Sequence, residues 1–468
     1  MESDPEGGTS ERVFSIAHHL NFASSLIGDD YERCRLAELN LLAGKKSKNS
    51  SAFQSAVTFF KLGLERLYPK DWDAHYRLAY ELHINCAECE GLVGNPGIAN
   101  KLFDNMLDKV RSDVDRGRVY IVRNLLLTSM GKYEEALALG LQGLKSFGIS
   151  LPREPSLLRM GREVMKMKWL LRKIGIEGIK GMGPNVSEEI SMKLALVKSM
   201  EGAAFYMNRN LNSLLAMVAM NTIIKNGLHP IAPYTAIVMT AIYGSGLGDW
   251  SSGKKYFDCS QHLLQTMTTP FEGPTMFLTA YFALHWWRYA GDALNYFKKT
   301  YAIYAEHGDF PFACHALNNT MDYPYMIGSS IDKAFREYVN HEGFIKTLKD
   351  PFFIDYFNDH VRFYKAFKGE TDSPLSLDMK DSYMEKRLAG LRGVTVNNLD
   401  KFAFLYRLIK LNYLHGNYPA ALTLAREIED TQDVMVGTFM LTEYTFYYAL
   451  SIIKAVDGVT GRARSRLL

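Results

Sequence analysis

No apolar run in this chain is long enough to cross a bilayer. The longest apolar stretches, residues 236–243 and 277–287, fall short of the ~18–20 residues a spanning helix requires. They suit buried helices, and no membrane partner is expected. Charge of one sign is also lacking: 54 basic residues face 51 acidic ones, a net charge of +3. A general nucleic-acid binder needs a concentrated basic face, so no nucleic-acid partner is expected. Cysteine is scarce, with Cys34, Cys86, Cys89, Cys259 and Cys314 forming an odd, scattered set. The first residues carry neither the positive start nor the apolar core of an export signal. Both features read as a reduced, cytoplasmic protein. Cys86-Ala87-Glu88-Cys89 has zinc or redox spacing, but no second pair accompanies it. It reads as helix packing, and no metal is expected. Strand signal is nearly absent.

What the chain does have is 47% hydrophobic residues and a recurring glycine. Gly131, Gly248 and Gly416 each follow a helical run and stand before a charged or aromatic residue and then another helical run. Gly94, Gly291 and Gly369 are looser copies. Gly94 to Gly131 is 37 residues, Gly248 to Gly291 is 43 and Gly369 to Gly416 is 47. A period of ~34–47 residues marks stacked helical hairpins. The expected fold is therefore all-α, an α-α superhelix of TPR-like helical hairpins. Leu36, Leu39 and Ala43 mark one buried helix face, and Pro96 suits a first helical turn.

Residues 1–10 read as a disordered N-terminus and 11–150 as N-terminal repeats. Residues 151–186 read as an irregular basic, Met-rich helix and a linker holding Gly175, Gly178, Gly181 and Gly183. Repeats resume over 187–458, ending in a helix with no partner after it, and 459–468 form a basic tail where the chain reads as truncated.

Catalytic chemistry finds little support. Gly248-Asp249-Trp250-Ser251-Ser252-Gly253-Lys254-Lys255 nearly matches a phosphate-binding loop, but Lys255 replaces the hydroxyl residue that would hold magnesium. His341-Glu342 begins a zinc-protease pattern that no later histidine completes. No catalytic, cofactor-binding or metal-binding residues are assigned. A groove, if lined by the first helix of each hairpin, would offer Asn85, Arg123 and Asn124 to a peptide backbone or carboxylate. The expected function is a non-catalytic protein-interaction scaffold holding a protein, a peptide or a sister chain on a concave helical surface. The alternatives are a nucleotide-binding switch or enzyme using the Gly248–Lys255 turn, and a helical-repeat RNA binder.

The run Leu36-Ala37-Glu38-Leu39-Asn40-Leu41-Leu42-Ala43-Gly44-Lys45-Lys46-Ser47-Lys48, followed by Ser51-Ala52-Phe53, resembles a family signature. It opens the helical region of large multi-domain signalling kinases, between a STAND-type NTPase and a GAF sensor with a histidine kinase. The similarity runs through Trp72, Tyr76, Asp115-Arg116, Glu134-Glu135-Ala136-Leu137 and Phe147-Gly148-Ile149-Ser150-Leu151-Pro152 to Phe446-Tyr447-Tyr448. The resemblance implies a tetratricopeptide-like regulatory arm whose partners are kinase or NTPase domains of the same system. The chain itself carries no His-Arg-Asp with a following Asp-Phe-Gly, and no enzyme activity is expected.

Overall fold

The computed structural model describes residues 5–348, 350–393 and 398–456, and these are all-α, with no strand among them. Residues 1–4 and the basic tail lie outside the described residues. Two compact units divide the chain. Unit 1 takes the described residues up to Arg172 together with Gly183–His229. Unit 2 takes Lys173–Met182 together with the described residues from Pro230 onward. The segment 151–186 is thus shared between both units.

Unit 1 comprises α1 (Pro5–Phe22), α2 (Asp30–Asn49), α3 (Phe53–Leu64), the single turn α4 (Asp71–Ala74), α5 (Tyr76–Leu92), α6 (Pro96–Lys109), α7 (Asp113–Ser129), α8 (Tyr133–Ser146), α9 (Leu157–Leu171), α10 (Glu188–Met207) and α11 (Arg209–Asn226). Neighbours in sequence pack together as α2 with α3, α5 with α6, α7 with α8 and α10 with α11. Each pair also covers the next: α3 lies on α5, and α10 on α7 and α8.

Local chemistry sets the helix ends. Ser112, Ser156, Ser187 and Asn208 accept backbone N–H bonds at their helix starts. The recurring glycines close the helices. Gly94, Gly131, Gly369 and Gly416 have φ of 89°, 72°, 72° and 77°, the left-handed region that glycine enters without a steric cost. After each, the next residue's N–H donates to a carbonyl five residues back: Asn95 to Glu90, Lys132 to Leu127, Glu370 to Lys365 and Asn417 to Asn412. Gly291 departs from the pattern, sitting in a tight turn at Ala290–Asp292 without a positive φ.

Other glycines are sockets between hairpins. A Cβ on Gly63 of α3 would stand 2.6 Å from Leu82 Cδ2 of α5. Gly91 of α5 receives Leu126 of α7 in the same way, and Gly140 of α8 receives Met200 of α10. A bulky side chain of each hairpin thus fills a notch in the one before it.

Unit 2 comprises α12 (Ala232–Ala241), α13 (Trp250–Thr266), α14 (Glu272–Leu278), α15 (Leu284–Trp287), α16 (Ala293–Glu306), α17 (Phe310–Met326), α18 (Ile331–Val339), α19 (Glu342–Thr347), α20 (Pro351–Phe367), α21 (Tyr383–Leu391), α22 (Asn398–Leu414), α23 (Tyr418–Glu427) and α24 (Phe439–Val456). Wide π turns at Ile242–Gly246 and Thr279–Ala283 bulge the ends of α12 and α14. The last described helix, α24, packs on the preceding α23, α22 and α17. Phe439 at its start meets the rings of Tyr323 and His285.

The core of unit 2 holds charge. Asp322 of α17 accepts from His360 Nε2 of α20 at 2.8 Å, Arg407 Nη2 of α22 at 2.9 Å and the Tyr356 hydroxyl at 2.8 Å. Arg407 is 1% exposed, and its guanidinium lies 4.4 Å from the Tyr356 ring centroid. Burial by itself would raise the Asp322 carboxyl, but His360 and the Arg407 guanidinium, with the hydrogen bonds from His360 and Tyr356, hold it below the usual carboxylate range. Nearby, Lys410 bonds the Tyr325 carbonyl at 2.8 Å and Glu443 of α24 at 3.1 Å.

Removing one partner leaves the others buried and uncompensated. Asp322→Ala should therefore cost unit 2 about 3–5 kcal/mol in urea unfolding followed by circular dichroism, whereas Asp372→Ala in an exposed turn should cost far less. Acid should act on the same unit. Burial pushes the His285 and His315 imidazoles from 6.5 down to about 4. The unfolded chain then binds protons that the folded chain refuses, so this stability is whole above pH 6.5 and is lost as pH falls toward 4. Urea midpoints measured across that window should drop with pH. In unit 1, Gly91→Leu should cost about 1–3 kcal/mol by overpacking, read as a lowered melting temperature.

Candidate interaction face of unit 1

The helices α2, α5 and α7 open three successive hairpins. The same period that spaces their glycines spaces their charges. Lys45 on α2, Glu81 on α5 and Arg118 on α7 follow one another at 36 and 37 residues. They meet in space: Lys45 Nζ lies 2.7 Å from Glu81 Oε2, and Arg118 Nη1 lies 2.7 Å from Glu81 Oε1. Arg77, one turn before Glu81, adds a third cation at 3.2 Å and also reaches Asp115 of α7 at 3.1 Å. Lys48 extends the row, donating to Asn85 Oδ1 at 3.1 Å and Glu88 Oε2 at 2.5 Å. A ladder of charge thus crosses three first helices.

Its electrostatics are lopsided. The Glu81 side chain is 9% exposed, while those of Lys45, Arg118 and Arg77 are 41%, 41% and 65% exposed. Burial would raise the Glu81 carboxyl, but Lys45, Arg118 and Arg77 together bring it below its ordinary value. The carboxylate is committed and the cations are open. A guanidinium has five N–H donors, and Arg77 and Arg118 keep donors unspent on the ladder's acids. Such cations can bond ligand carboxylates through those spare donors while staying paired with Glu81. Tyr76 and Tyr80 stiffen the row by donating to the Asp115 carboxylate and to its carbonyl, both at 2.9 Å.

Of the residues expected from sequence to line a groove, Asn85 lies in this ladder. It is buried, with Oδ1 accepting from Lys48 and Nδ2 donating to the Glu81 carbonyl at 2.8 Å. Asn124 is fully buried, and its amide donates to the Ala136 carbonyl at 3.0 Å, tying α7 to α8. Arg123 pairs with Asp104 of α6 at 2.7 Å. The ladder residues Lys45, Lys48, Glu81 and Arg118 were missed. The signal that could have found them is the 36–37-residue step applied to charges as well as to glycines.

Other candidate chemistries are occupied by structural roles. In the 248–255 segment no strand leads into the loop, Asp249 takes the Ser252 N–H at 3.0 Å, and Lys254 pairs with Asp258 at 2.6 Å. A Cβ on Gly253 would stand 3.1 Å from the Gly244 backbone nitrogen, so this glycine serves close helix packing. Cys86 and Cys89 are buried in α5, where burial pushes their thiols up to about 12 and 11. The ligand atoms of Cys34, Asp71 and His75 lie within 4.8 Å of one another, but Arg33 grips the Asp71 carboxylate at 2.7 and 3.1 Å and the Tyr68 N–H binds it at 2.6 Å.

The described residues thus lack the β-sheet core of kinase and NTPase catalytic domains. No protein-family model matches the chain. Among curated proteins it is similar to "Hybrid signal transduction histidine kinase G" of Dictyostelium discoideum, with 22% identity over 361 residues. That alignment covers 70% of this chain and 10% of the relative, so the chain spans a small part of the protein it matches. What the comparison supports is an all-helical chain distantly related to a signal-transduction histidine-kinase hybrid.

Proposed function

We propose that this chain is a non-catalytic interaction arm of TPR-like helical hairpins in a kinase-linked signalling system. Unit 1 receives an acidic segment of a protein partner along Lys45, Lys48, Arg77 and Arg118. The observation that carries this reading is the ladder: Lys45, Arg77 and Arg118, 41–65% exposed, and the more sheltered Lys48 surround carboxylates of which the central one, Glu81, is buried and already paired. A partner's acids can join the cations without uncovering that carboxylate. The packed series of hairpins supports a superhelical arm, in which each first helix contributes to one continuous surface. The similarity to a hybrid histidine kinase supports signalling as the setting, with kinase or NTPase domains of that system as natural partners. Asn85 serves in this reading as the strut that holds Lys48 in the row, while Arg123 and Asn124 hold α7 against α6 and α8.

Fluorescence anisotropy with a labelled Glu-rich peptide tests this. Binding should weaken steeply as salt rises, because exposed charges are screened within about 10 Å at 0.1 M ionic strength. Lys48→Glu combined with Arg118→Glu should weaken it at least about tenfold, as like charges then face each other. Arg123→Ala should leave it within a factor of about two, since rim-remote contacts carry little binding energy. Equal affinity in the charge-reversed and parent chains would remove the proposal.

A further inference from the structure

Helix α9 presents an apolar stripe that nothing in its own unit covers. Its inner face, with Glu163, Met167 and Leu171, is buried against α11. Glu163 is the helix's one acid, and it is spent on Arg159 at 2.6 Å and Asn221 at 2.7 Å. On the outer face Leu158, Met165 and Trp169 recur at seven and four residues and so share one line. They are 78%, 66% and 60% exposed, and Leu157 beside them is equally open. The line is about 16 Å long at 1.5 Å per residue. Gly161 leaves a notch in it without adding a polar group.

Exposed cations flank this stripe on both sides. Arg162 and Lys166 project on one edge and Lys168 on the other, with no acid between them. Arg172 folds back over the Trp169 ring at 4.0 Å and bonds its carbonyl. A protein groove would need acids on both of its rims to match this arrangement. An anionic bilayer provides them by construction: an apolar interior under a plane of negative headgroups that meets both edges at one height. Tryptophan with an apolar ridge and flanking lysine or arginine is the composition of helices that lie in such an interface.

We propose that α9 is a peripheral docking helix that seats Leu158, Met165 and Trp169 among the acyl chains of an anionic lipid surface while Arg162, Lys166 and Lys168 hold the headgroups. No helix of the described residues is long and apolar enough to cross a membrane. That fact concerns spanning, and it leaves an interfacial helix open. Apolar insertion and basic charge act together here because a single weak anchor gives only marginal, reversible attachment.

The test is sedimentation of the full chain with phosphatidylcholine vesicles, with and without phosphatidylserine. Binding should require phosphatidylserine and fall with salt. Trp169→Ala should weaken it about tenfold, and Met165→Trp should strengthen it. Charge reversal of Arg162, Lys166 and Lys168 to Glu should abolish it. All these residues are exposed, so circular dichroism should show unchanged folding. Brominated lipid should quench tryptophan emission in the parent and less in Trp169→Phe. Lys48→Glu with Arg118→Glu should leave vesicle binding intact, which separates this face from the acidic-peptide ladder. A folded chain that fails to sediment with phosphatidylserine vesicles would overturn the proposal. So would sedimentation indifferent to Trp169→Ala and to the triple reversal. Binding of a Glu-rich amphipathic peptide at Trp169 without vesicle binding would assign the face to a protein and equally overturn it.

Discussion

A two-helix hairpin cannot bury its own apolar faces, and every other feature of this protein follows from that constraint. Each pair is covered by the next one, and the cover is specific. Leu82 enters the notch at Gly63, Leu126 the notch at Gly91 and Met200 the notch at Gly140. These contacts fix how far one hairpin stands from its neighbour and in which register. They therefore also fix which polar residues on successive first helices come within hydrogen-bond reach. Lys45, Glu81 and Arg118 meet within 2.7 Å across helices that this stacking brings side by side.

The same periodic placement produces two kinds of electrostatics. In unit 1 the ladder lies at the surface, with one carboxylate sunk and its cations open to water. The outward-facing cations there are screened by salt, while the Glu81 carboxylate beneath them is not. In unit 2 Asp322, His360 and Arg407 come from α17, α20 and α22, but they are sealed by Tyr356 and by packing. Buried charges are costly to expose and costly to separate. Their interactions lock α17, α20 and α22 together, and Lys410 with Glu443 draws α24 onto them. One architecture thus supplies an exposed row of ion pairs in one unit and a buried charged clamp in the other.

The chain is distantly similar to a hybrid histidine kinase, and its described residues lack the β-sheet core of kinase and NTPase catalytic domains. Features that suggested chemistry have structural explanations. The 248–255 turn starts a helix, with Asp249 as its cap. The Cys86 and Cys89 thiols are core atoms of α5. Such segments imitate motifs because turns that begin helices also use glycine, short polar residues and lysine.

The sequence by itself determined the helical class and the hairpin rhythm. Gly94, Gly131, Gly369 and Gly416 are local signals: a left-handed residue is needed to end a helix, and glycine meets that need wherever it stands. Side-chain direction was beyond it. Asn85 and Asn124 look alike in sequence, yet one braces a surface lysine and the other is sealed between α7 and α8. Nor could it show that Asp322, His360 and Arg407 converge, or that α24 returns to α17, since those pairings span 38 to 116 residues. They depend on how each hairpin seats on the one before it. Periodicity is written in nearest neighbours along the chain, whereas a charged cluster or an uncovered helix face is decided by what packing leaves buried and what it leaves open.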